Sequence, residues 1–391
     1  MSDSATTAAT ASPRPDLTGL AQALQEAGVG IATDALDRLL AGVAAAPVAD
    51  VPEAWMALLG RNLDAGLQDW AARAVRAQSA DGGLAAGRAA SAERAAALRT
   101  ELTQRGLDGF VVPRADAHQL EAPPPHAQRL TWLTGFTGSA GVAVVLKDRA
   151  AIFVDGRYTL QVENEVDTEV FEPRHLSDAP PSDFIAEHLG DGTLGYDPWL
   201  HSVEGVERLQ AAVERAGGQL QAVDGNPLDV VWPDQPPAPL TPASLHDLTY
   251  AGEAAADKRA RAAQTLVEAG QTAAVLSLPD SICWLLNVRG RDVLHTPLVL
   301  SFAVLHADSR VDWYVDPRKV PSEVCDGLDA AVRLHAPELF PQALDALAAA
   351  ERPVRVDAAT APAALVQRIE AAGGRVARDG DPYLLPKARK N

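Results

Sequence analysis

An internal repeat constrains the fold of this chain more than any other feature. In each copy, a helical pattern ends at a glycine, Gly106 or Gly270, and a short apolar strand follows it. A tryptophan comes next, Trp132 or Trp284, and then an apolar hairpin that ends in Val-Asp-x-Arg. Glycine just after a helical pattern is a common helix C-terminus, and paired apolar runs joined by a turn indicate a hairpin. We therefore predict two domains of one fold.

The elements are placed alike in the two copies. The pattern predicts helices over residues 91–105 and 252–268, each followed by a strand, 109–112 or 272–276. We interpret the tryptophan segment as a further strand. Helices that alternate with hairpins favour a mixed sheet covered by helices, which makes the fold class α/β.

The Val-Asp-x-Arg motif ends the second strand of each hairpin. We predict that Asp155 and Asp316 end edge strands and cap the turn that follows, because carboxylates commonly accept hydrogen bonds from backbone amides there. Core packing is the expected role of Trp132 and Trp284.

The amino-acid composition divides the rest of the chain into segments. Residues 1–16 read as a disordered tail, and 17–83 as a small helical appendage with interrupted Leu/Trp stripes. The first repeat domain spans residues 90–231, a proline-rich linker 232–245, and the second domain 246–391.

Charge and cysteine usage exclude several classes of protein. The formal net charge is -18, which repels phosphate backbones and makes nucleic acid an unexpected partner. We find no signal peptide and no run of 18 apolar residues, so we expect a cytoplasmic protein without membrane contact. Cys283 and Cys325 are expected to be two buried thiols.

Three long motifs stand out in the sequence. The first is Arg129-Leu-Thr-Trp-Leu-Thr-Gly-Phe-Thr-Gly-Ser-Ala-Gly, with Phe153-Val-Asp-Gly-Arg-Tyr after it. The second is Leu278-Pro-Asp-Ser-Ile-Cys-Trp-Leu-Leu-Asn-Val-Arg-Gly-Arg-Asp-Val, and the third is Asp381-Pro-Tyr-Leu-Leu-Pro-Lys. The first two resemble the N-terminal domains of aminopeptidase P, within the creatinase/prolidase superfamily, and the third resembles the segment that leads into its catalytic domain.

The resemblance implies a Xaa-Pro aminopeptidase whose chemistry belongs to a third, pita-bread domain. That domain holds two divalent ions, commonly manganese, between carboxylates and a histidine. No residue here matches those ligands, and we do not expect Asp167 and Asp178 to bind metal despite their spacing. We expect no cofactor and no catalytic residue in this chain. The partners implied are a second copy, as a homodimer, or a pita-bread domain supplied in trans.

The resemblance places one loop beside the substrate cleft. Arg289, Asp292 and His295 are therefore candidate cleft residues. The alternative is that Arg289 pairs with Asp292 and that His295 is merely exposed. We also expect the basic segment from Lys387 onward to be mobile.

Two further segments contain residues that could take part in chemistry. Residues 135–141 have neither the spacing of a phosphate loop nor that of a nucleophile elbow, so we predict a structural glycine turn. The alternative is that Ser139 is a nucleophile. We predict that His118 and His126 flank a solvated loop that also contains Asp116 and Glu121. The alternative is a weak contact with a metal ion or a peptide.

Three functions remain open at this stage. The first is the non-catalytic part of a Xaa-Pro aminopeptidase, which shapes the substrate cleft and oligomer contacts. The second is a stand-alone binding or oligomerisation module, or the remnant of a truncated gene. The third is an unrelated hydrolase that uses Ser139 or a histidine site.

Overall fold

The computed structural model describes residues 83–389, with side chains from residue 90 onward. The tail predicted over 1–16 and the appendage predicted over 17–83 lie outside these residues, apart from Gly83. Helix α1, Gly83–Gln104, begins before the predicted helix and ends one residue earlier.

The first sheet has six strands in the order β4-β3-β2-β1-β5-β6. Its strands are β1 Gly109–Pro113, β2 Gly141–Leu146, β3 Ala150–Val154, β4 Glu172–His175, β5 Thr193–Tyr196 and β6 Gln219–Ala222. Its helices after α1 are α2 Arg129–Thr134, α3 Thr159–Glu165, α4 Pro181–His188, α5 Val203–Ala216 and α6 Pro227–Val231.

The second sheet has six strands in the order β12-β11-β10-β8-β13-β14, and a two-stranded ribbon, β7-β9, stands beside it. These strands are β7 Ser244–Leu245, β8 Ala273–Leu276, β9 Val288–Arg289, β10 Phe302–His306, β11 Val311–Tyr314, β12 Val332–His335, β13 Val354–Arg355 and β14 Val376–Ala377. The helices are α7 Leu248–Ala251, α8 Ala255–Glu268, α9 Pro279–Leu286, α10 Ser322–Gly327, α11 Phe340–Ala348, α12 Ala363–Ala371 and α13 Leu384–Ala388.

The two sheets share one topology. In each, a central antiparallel set of three strands is flanked by parallel strands, and the strand order matches position by position. The prediction of two similar mixed-sheet α/β domains is confirmed.

Both faces of the first sheet are buried under helices. Val111 and Val144 face each other in the β1–β2 ladder and belong to the core under α4 and α5. Their neighbours Phe110 and Val145 belong to the opposite core, under α1 and α2. Alternate side chains of a strand point to opposite faces, so a sheet covered on both sides needs the continuous apolar runs seen in the sequence.

The tryptophan segments are helices, contrary to the strand that we predicted. Trp132 lies in α2, which ends at Gly135 with φ +83°, and Trp284 lies in α9, which ends at Asn287 with φ +52°. Both side chains are partly buried against their cores. A helix of six or eight residues makes too few turns to show a clear period, which explains the error.

A cation covers each tryptophan in the same way. Arg94 donates to the Trp132 carbonyl at 2.6 Å, with its guanidinium 4.9 Å from the ring centre. Lys258 donates to the Trp284 carbonyl at 2.9 Å, with its ammonium 4.2 Å from the ring centre. Each cation stands twelve residues before the glycine that follows its helix, Gly106 or Gly270. The duplication therefore extends to individual side-chain contacts.

The two Val-Asp-x-Arg motifs also fold alike. Asp155 accepts from the backbone N–H of Arg157 at 2.9 Å, and Asp316 from that of Arg318 at 2.9 Å. The predicted capping role is confirmed. The predicted edge position is wrong, because β4 and β12 pair alongside the strands that precede these aspartates.

Backbone contacts join the two domains around the ends of β5 and β13. Ala363 N–H donates to the carbonyl of His201 at 2.8 Å, and Glu204 N–H to the carbonyl of Ala358 at 3.2 Å. Val203 packs into the core of the second domain. These two loops therefore fix one domain against the other.

Cys283 is buried, as predicted, whereas Cys325 is exposed, so the expectation of two buried thiols is half wrong. Across residues 83–389, no helix is both long and apolar enough to cross a membrane.

Candidate functional site

A cleft in the second domain contains two of the three residues singled out by the resemblance. It has a volume of about 870 Å³ and lies between the end of the linker and the loop after Trp284. Its lining residues are 241–244, 289–291 and 293–297.

The ribbon β7-β9 brings the two walls together. Asn287 adopts a left-handed conformation at the end of α9, which turns the chain out of the helix. Ser244 then pairs with Arg289, and Leu245 with Val288. The N–H of His246 donates to the Asn287 carbonyl at 2.7 Å, which fixes the start of the ribbon.

Asp292 lies beneath the cleft and holds its walls in place. Its side chain has no exposed surface, and it accepts from Thr241 Oγ1 at 2.6 Å and from the Leu300 N–H at 2.8 Å. Lys319 supplies the counter-ion, with Nζ 2.7 Å from Asp292 Oδ2. The alternative pairing of Arg289 with Asp292 is therefore wrong, because the carboxylate is taken by Lys319.

Close backbone packing shapes the cleft wall. A Cβ on Gly290 would stand 2.6 Å from the Leu298 carbonyl oxygen, so a side chain cannot be accommodated there. The thiol of Cys283 accepts from the Val299 N–H at 3.3 Å, and burial raises its pKa to about 11. That thiol therefore supports the wall and stays protonated at neutral pH.

Arg289 and His295 stand on the cleft itself. Arg289 is half-buried and donates to the Val288 carbonyl at 3.1 Å. His295 is exposed, as its structural alternative predicts, at a turn in which the Thr296 N–H donates to the Val293 carbonyl. The φ of His295 is +60°. Leu294, beside it, is 61% exposed.

A small cavity adjoins the cleft through Arg289. Its volume is about 50 Å³, and its walls include His246, Lys258 and Trp284. Burial lowers the pKa of Lys258 to about 8. Burial, and secondly the nearby Arg289, lower the pKa of His246, so that imidazole is neutral at pH 7.

The charge of this cleft is opposite to that of the whole chain. Arg289 and Arg291 line it, and no carboxylate is among its lining residues within the described part of the chain. The net charge of the chain is -18. Guanidinium groups bind carbonyl and carboxylate oxygens, so the cleft fits an oxygen-rich ligand or a peptide segment beside the apolar Leu294.

The glycine turn 135–141 has a structural role. The hydroxyl of Ser139 shares a hydrogen bond of 2.7 Å with that of Tyr158, which is no general base for a serine nucleophile at neutral pH. A Cβ on Gly138 would collide with the Phe136 ring. The turn is therefore packed against aromatic rings, as the structural reading predicts.

The loop with His118 is solvated only in part: Glu121 is exposed, as predicted, and His126 is half-buried. The prediction is wrong for His118 and Asp116, which are buried. His118 Nδ1 lies 3.0 Å from the Ser277 carbonyl oxygen of the second domain, and its ring packs on Phe302 at 4.6 Å. Asp116 is 4% exposed. Sequence alone missed this because the loop's partners lie more than 150 residues away.

One residue of the basic C-terminal segment is held by contacts, whereas residues 390–391 lie outside the described part of the chain. Lys387 lies in α13, and its ammonium is 2.7 Å from Asp280 Oδ2 and 2.9 Å from Ser281 Oγ. Leu385, by contrast, is 61% exposed. The expected mobility is therefore wrong for Lys387.

The two divalent ions implied by the resemblance do not fit the described residues. Within residues 90–389, no three histidine, cysteine, aspartate or glutamate side chains converge as a metal site would need.

Sequence reasoning missed Lys319 and Thr241, the two residues whose side chains bind Asp292. Lys319 follows the second Val-Asp-x-Arg motif and is 5% exposed, although lysine is rarely buried. Its position directly after a repeated motif is the only signal that the sequence offers.

Comparison with known proteins agrees with the duplicated fold. Residues 94–229 and 234–391 each match a family described as the creatinase/prolidase N-terminal domain. The class defined by fold and site is thus a tandem of two such domains with a cationic cleft on the second. The chain belongs to the creatinase/prolidase family, through its two N-terminal domains.

The relatives include aminopeptidase P2 of Arabidopsis thaliana, 35% identical over 290 residues, which are 73% of this chain and 41% of that protein. A probable Xaa-Pro aminopeptidase P of Sordaria macrospora is 38% identical over 59% of this chain and 38% of that protein. The chain thus spans less than half the length of these two curated relatives.

One solved structure shares the arrangement of both domains. The X-prolyl aminopeptidase from Caenorhabditis elegans, described as a cytosolic enzyme with a di-nuclear active site, superposes with a TM-score of 0.70 at 23% identity. The superposition covers 77% of this chain and 52% of that one. At this identity the likeness shows the fold.

Proposed function

We propose that these domains form the non-catalytic part of a Xaa-Pro aminopeptidase and that the cationic cleft is a wall of its substrate site. The main support is Arg289 and Arg291, which place guanidinium groups beside the apolar Leu294 in a loop that the buried Asp292 anchors. The chemistry belongs to a catalytic domain with two divalent ions, commonly manganese. We place the protein in the cytoplasm, the location described for the enzyme from Caenorhabditis elegans.

A second function, as an oligomerisation module, draws on a different observation. Leu245, Leu248 and Tyr250 lie beside the cleft and are 40%, 56% and 77% exposed. Clustered apolar side chains on a protein surface often mark a contact with another chain. A homodimer through this face is the arrangement that this function requires.

Light scattering after size-exclusion chromatography distinguishes the two functions. The chain is run alone and with the part of the Arabidopsis thaliana aminopeptidase P2 that lies beyond the matched residues. We expect the two to associate, and we expect Leu294→Asp to weaken the complex. Leu160→Asp is the matched control, because Leu160 is 76% exposed on the first domain, away from the cleft.

A dimer that forms alone and excludes the added domain would favour the oligomerisation module. A monomer that binds no such domain would contradict both functions.

A further inference from the structure

The first domain contains a cavity that the proposed function does not use. Its volume is about 610 Å³, and it lies between the loop after β1 and the loops after β5 and β6. Its polar lining residues are Asp116, His126, Arg129, Asp197, Asp224, Asn226 and Asp229.

An insertion found in one copy of the repeat builds one wall of this cavity. Residues 114–128 connect β1 to α2, whereas only Ser277 and Leu278 connect β8 to α9 in the second copy. Long connections with little secondary structure are uncommon in compact domains and often serve function. His118 anchors the insertion on the second domain, and Gln235 donates to the His126 carbonyl at 2.9 Å, but neither contact involves the Asp116 carboxylate.

Asp116 lines the cavity and is 4% exposed. Its Oδ1 accepts from the N–H groups of His118 and Leu120, at 2.9 and 3.1 Å, so it caps the loop. Its Oδ2 is buried and has no hydrogen-bond partner among the described residues. A buried carboxylate oxygen without a partner is costly, so such an oxygen beside a cavity points to a group that binds there.

The charges that line the cavity indicate what kind of ligand group would bind beside Asp116. Four carboxylates line the cavity, together with one guanidinium, that of Arg129. Arg129 is already engaged by both oxygens of Asp229, at 2.7 Å each. Burial lowers the pKa of His126, so its imidazole is neutral and adds no positive charge at pH 7. Burial raises the pKa of Asp197, whose oxygens accept from the Trp199 N–H and from Asn226. The negative charge that the lining residues leave unbalanced is therefore that of Asp116 and Asp224.

We propose that this cavity binds a small organic cation, a primary ammonium or guanidinium group on an apolar body, with Asp116 as its counter-ion. The apolar body would lie against the apolar lining, which is Ala117, Ala127, Pro198, Trp199, Leu200, Ala222 and Val223. This inference is independent of the proposed peptidase role, since the cationic cleft lies on the other domain.

Isothermal titration calorimetry with benzylammonium as the probe tests the proposal. We expect one site per chain, weakened by added salt as an ionic contact must be. Benzyl alcohol has nearly the same size without the charge and should bind the unmodified chain at least about tenfold more weakly.

Asp116→Asn identifies the counter-ion. The amide keeps an oxygen to accept from His118 and Leu120, so the loop should stay folded, and we expect about tenfold or greater loss of benzylammonium binding. Asp178→Asn removes the same net charge from an 85% exposed side chain and should leave binding unchanged.

Three results would overturn the proposal: no heat of binding for benzylammonium, equal affinity for benzyl alcohol, or equal losses in the two variants. The alcohol comparison needs no variant, so the proposal stays testable even if Asp116→Asn does not fold.

Discussion

At the scale of single residues, buried charges organise the second domain. Asp292 joins the linker, the cleft loop and the segment after β11 through Thr241, Leu300 and Lys319. The contacts with Thr241 and Lys319 join residues 51 and 27 positions apart in the sequence. A buried ion pair is costly to break, because removal of one partner leaves the other charged and unsolvated.

Lys319→Met should destabilise the fold by about 3–5 kcal/mol, since it leaves the Asp292 carboxylate buried without its counter-ion. The midpoint of urea unfolding measures this loss. Lys147→Met is the control: Lys147 pairs with Asp108 but is 67% exposed, so its loss should cost less than about 1 kcal/mol. Equal shifts for the two variants would show that the Lys319 pair is no stronger than a surface pair.

Secondary-structure elements differ in how well the sequence predicts them. The two hairpins were predicted from their apolar runs, and the helix ends at Gln104 and Glu268 lie within one residue of the predicted ends, because a glycine follows each. The start of α1 was missed by eight residues. The short helices around Trp132 and Trp284 were not predicted, because one or two turns carry no period. The ribbon β7-β9 was also missed, since its two-residue strands are set by tertiary contacts.

The candidate site was predicted in part. The resemblance identified Arg289, Asp292 and His295, and the structure places two of them on one cleft. The third, Asp292, lies beneath the cleft, and its partner Lys319 is 27 residues away. From the local sequence alone, the neighbouring Arg289 was the only partner that we could propose for Asp292. The substrate role of the three residues stays a prediction.

The glycine turn after α2 gives a test at the scale of elements. Gly138→Ala should destabilise the first domain by about 1–3 kcal/mol, because the new methyl group meets the buried Phe136 ring and lies 2.8 Å from Tyr158 Cδ1. Thermal or urea unfolding measures the change. Gly380→Ala, which meets nothing within 4 Å, should change stability by less than about 1 kcal/mol. An unchanged Gly138→Ala variant would refute the packing account of this turn.

At the scale of the whole molecule, the two domains are joined by buried polar groups. His201 lies in this junction, where its carbonyl accepts from Ala363, and burial lowers the pKa of its imidazole to about 4. The ordinary pKa of 6.5 applies in the unfolded chain. As pH falls below 6.5, the unfolded chain takes up a proton that the folded chain does not, so stability is lost until about pH 4.

His201→Gln should therefore flatten the acid dependence of stability. Between pH 7 and pH 5 we expect the unmodified chain to lose about 2 kcal/mol more than the variant, as measured by urea unfolding. His118 also has a pKa lowered by burial, but it remains in both proteins and cancels in the comparison. Parallel pH profiles would mean that His201 is protonated equally in the folded and unfolded states.

The distribution of charge at this scale agrees with a cleft wall that faces another domain. Arg289 and Arg291 concentrate positive charge on one face of a chain whose net charge is -18. Charge of one sign in a cleft orients ligands of the opposite sign.

The central claim is that these domains support Xaa-Pro hydrolysis without performing it. The direct measurement is release of the N-terminal residue from a Xaa-Pro-Pro peptide by the purified chain, with and without manganese. We predict no release in either condition. Manganese-dependent release by this chain alone would contradict the account.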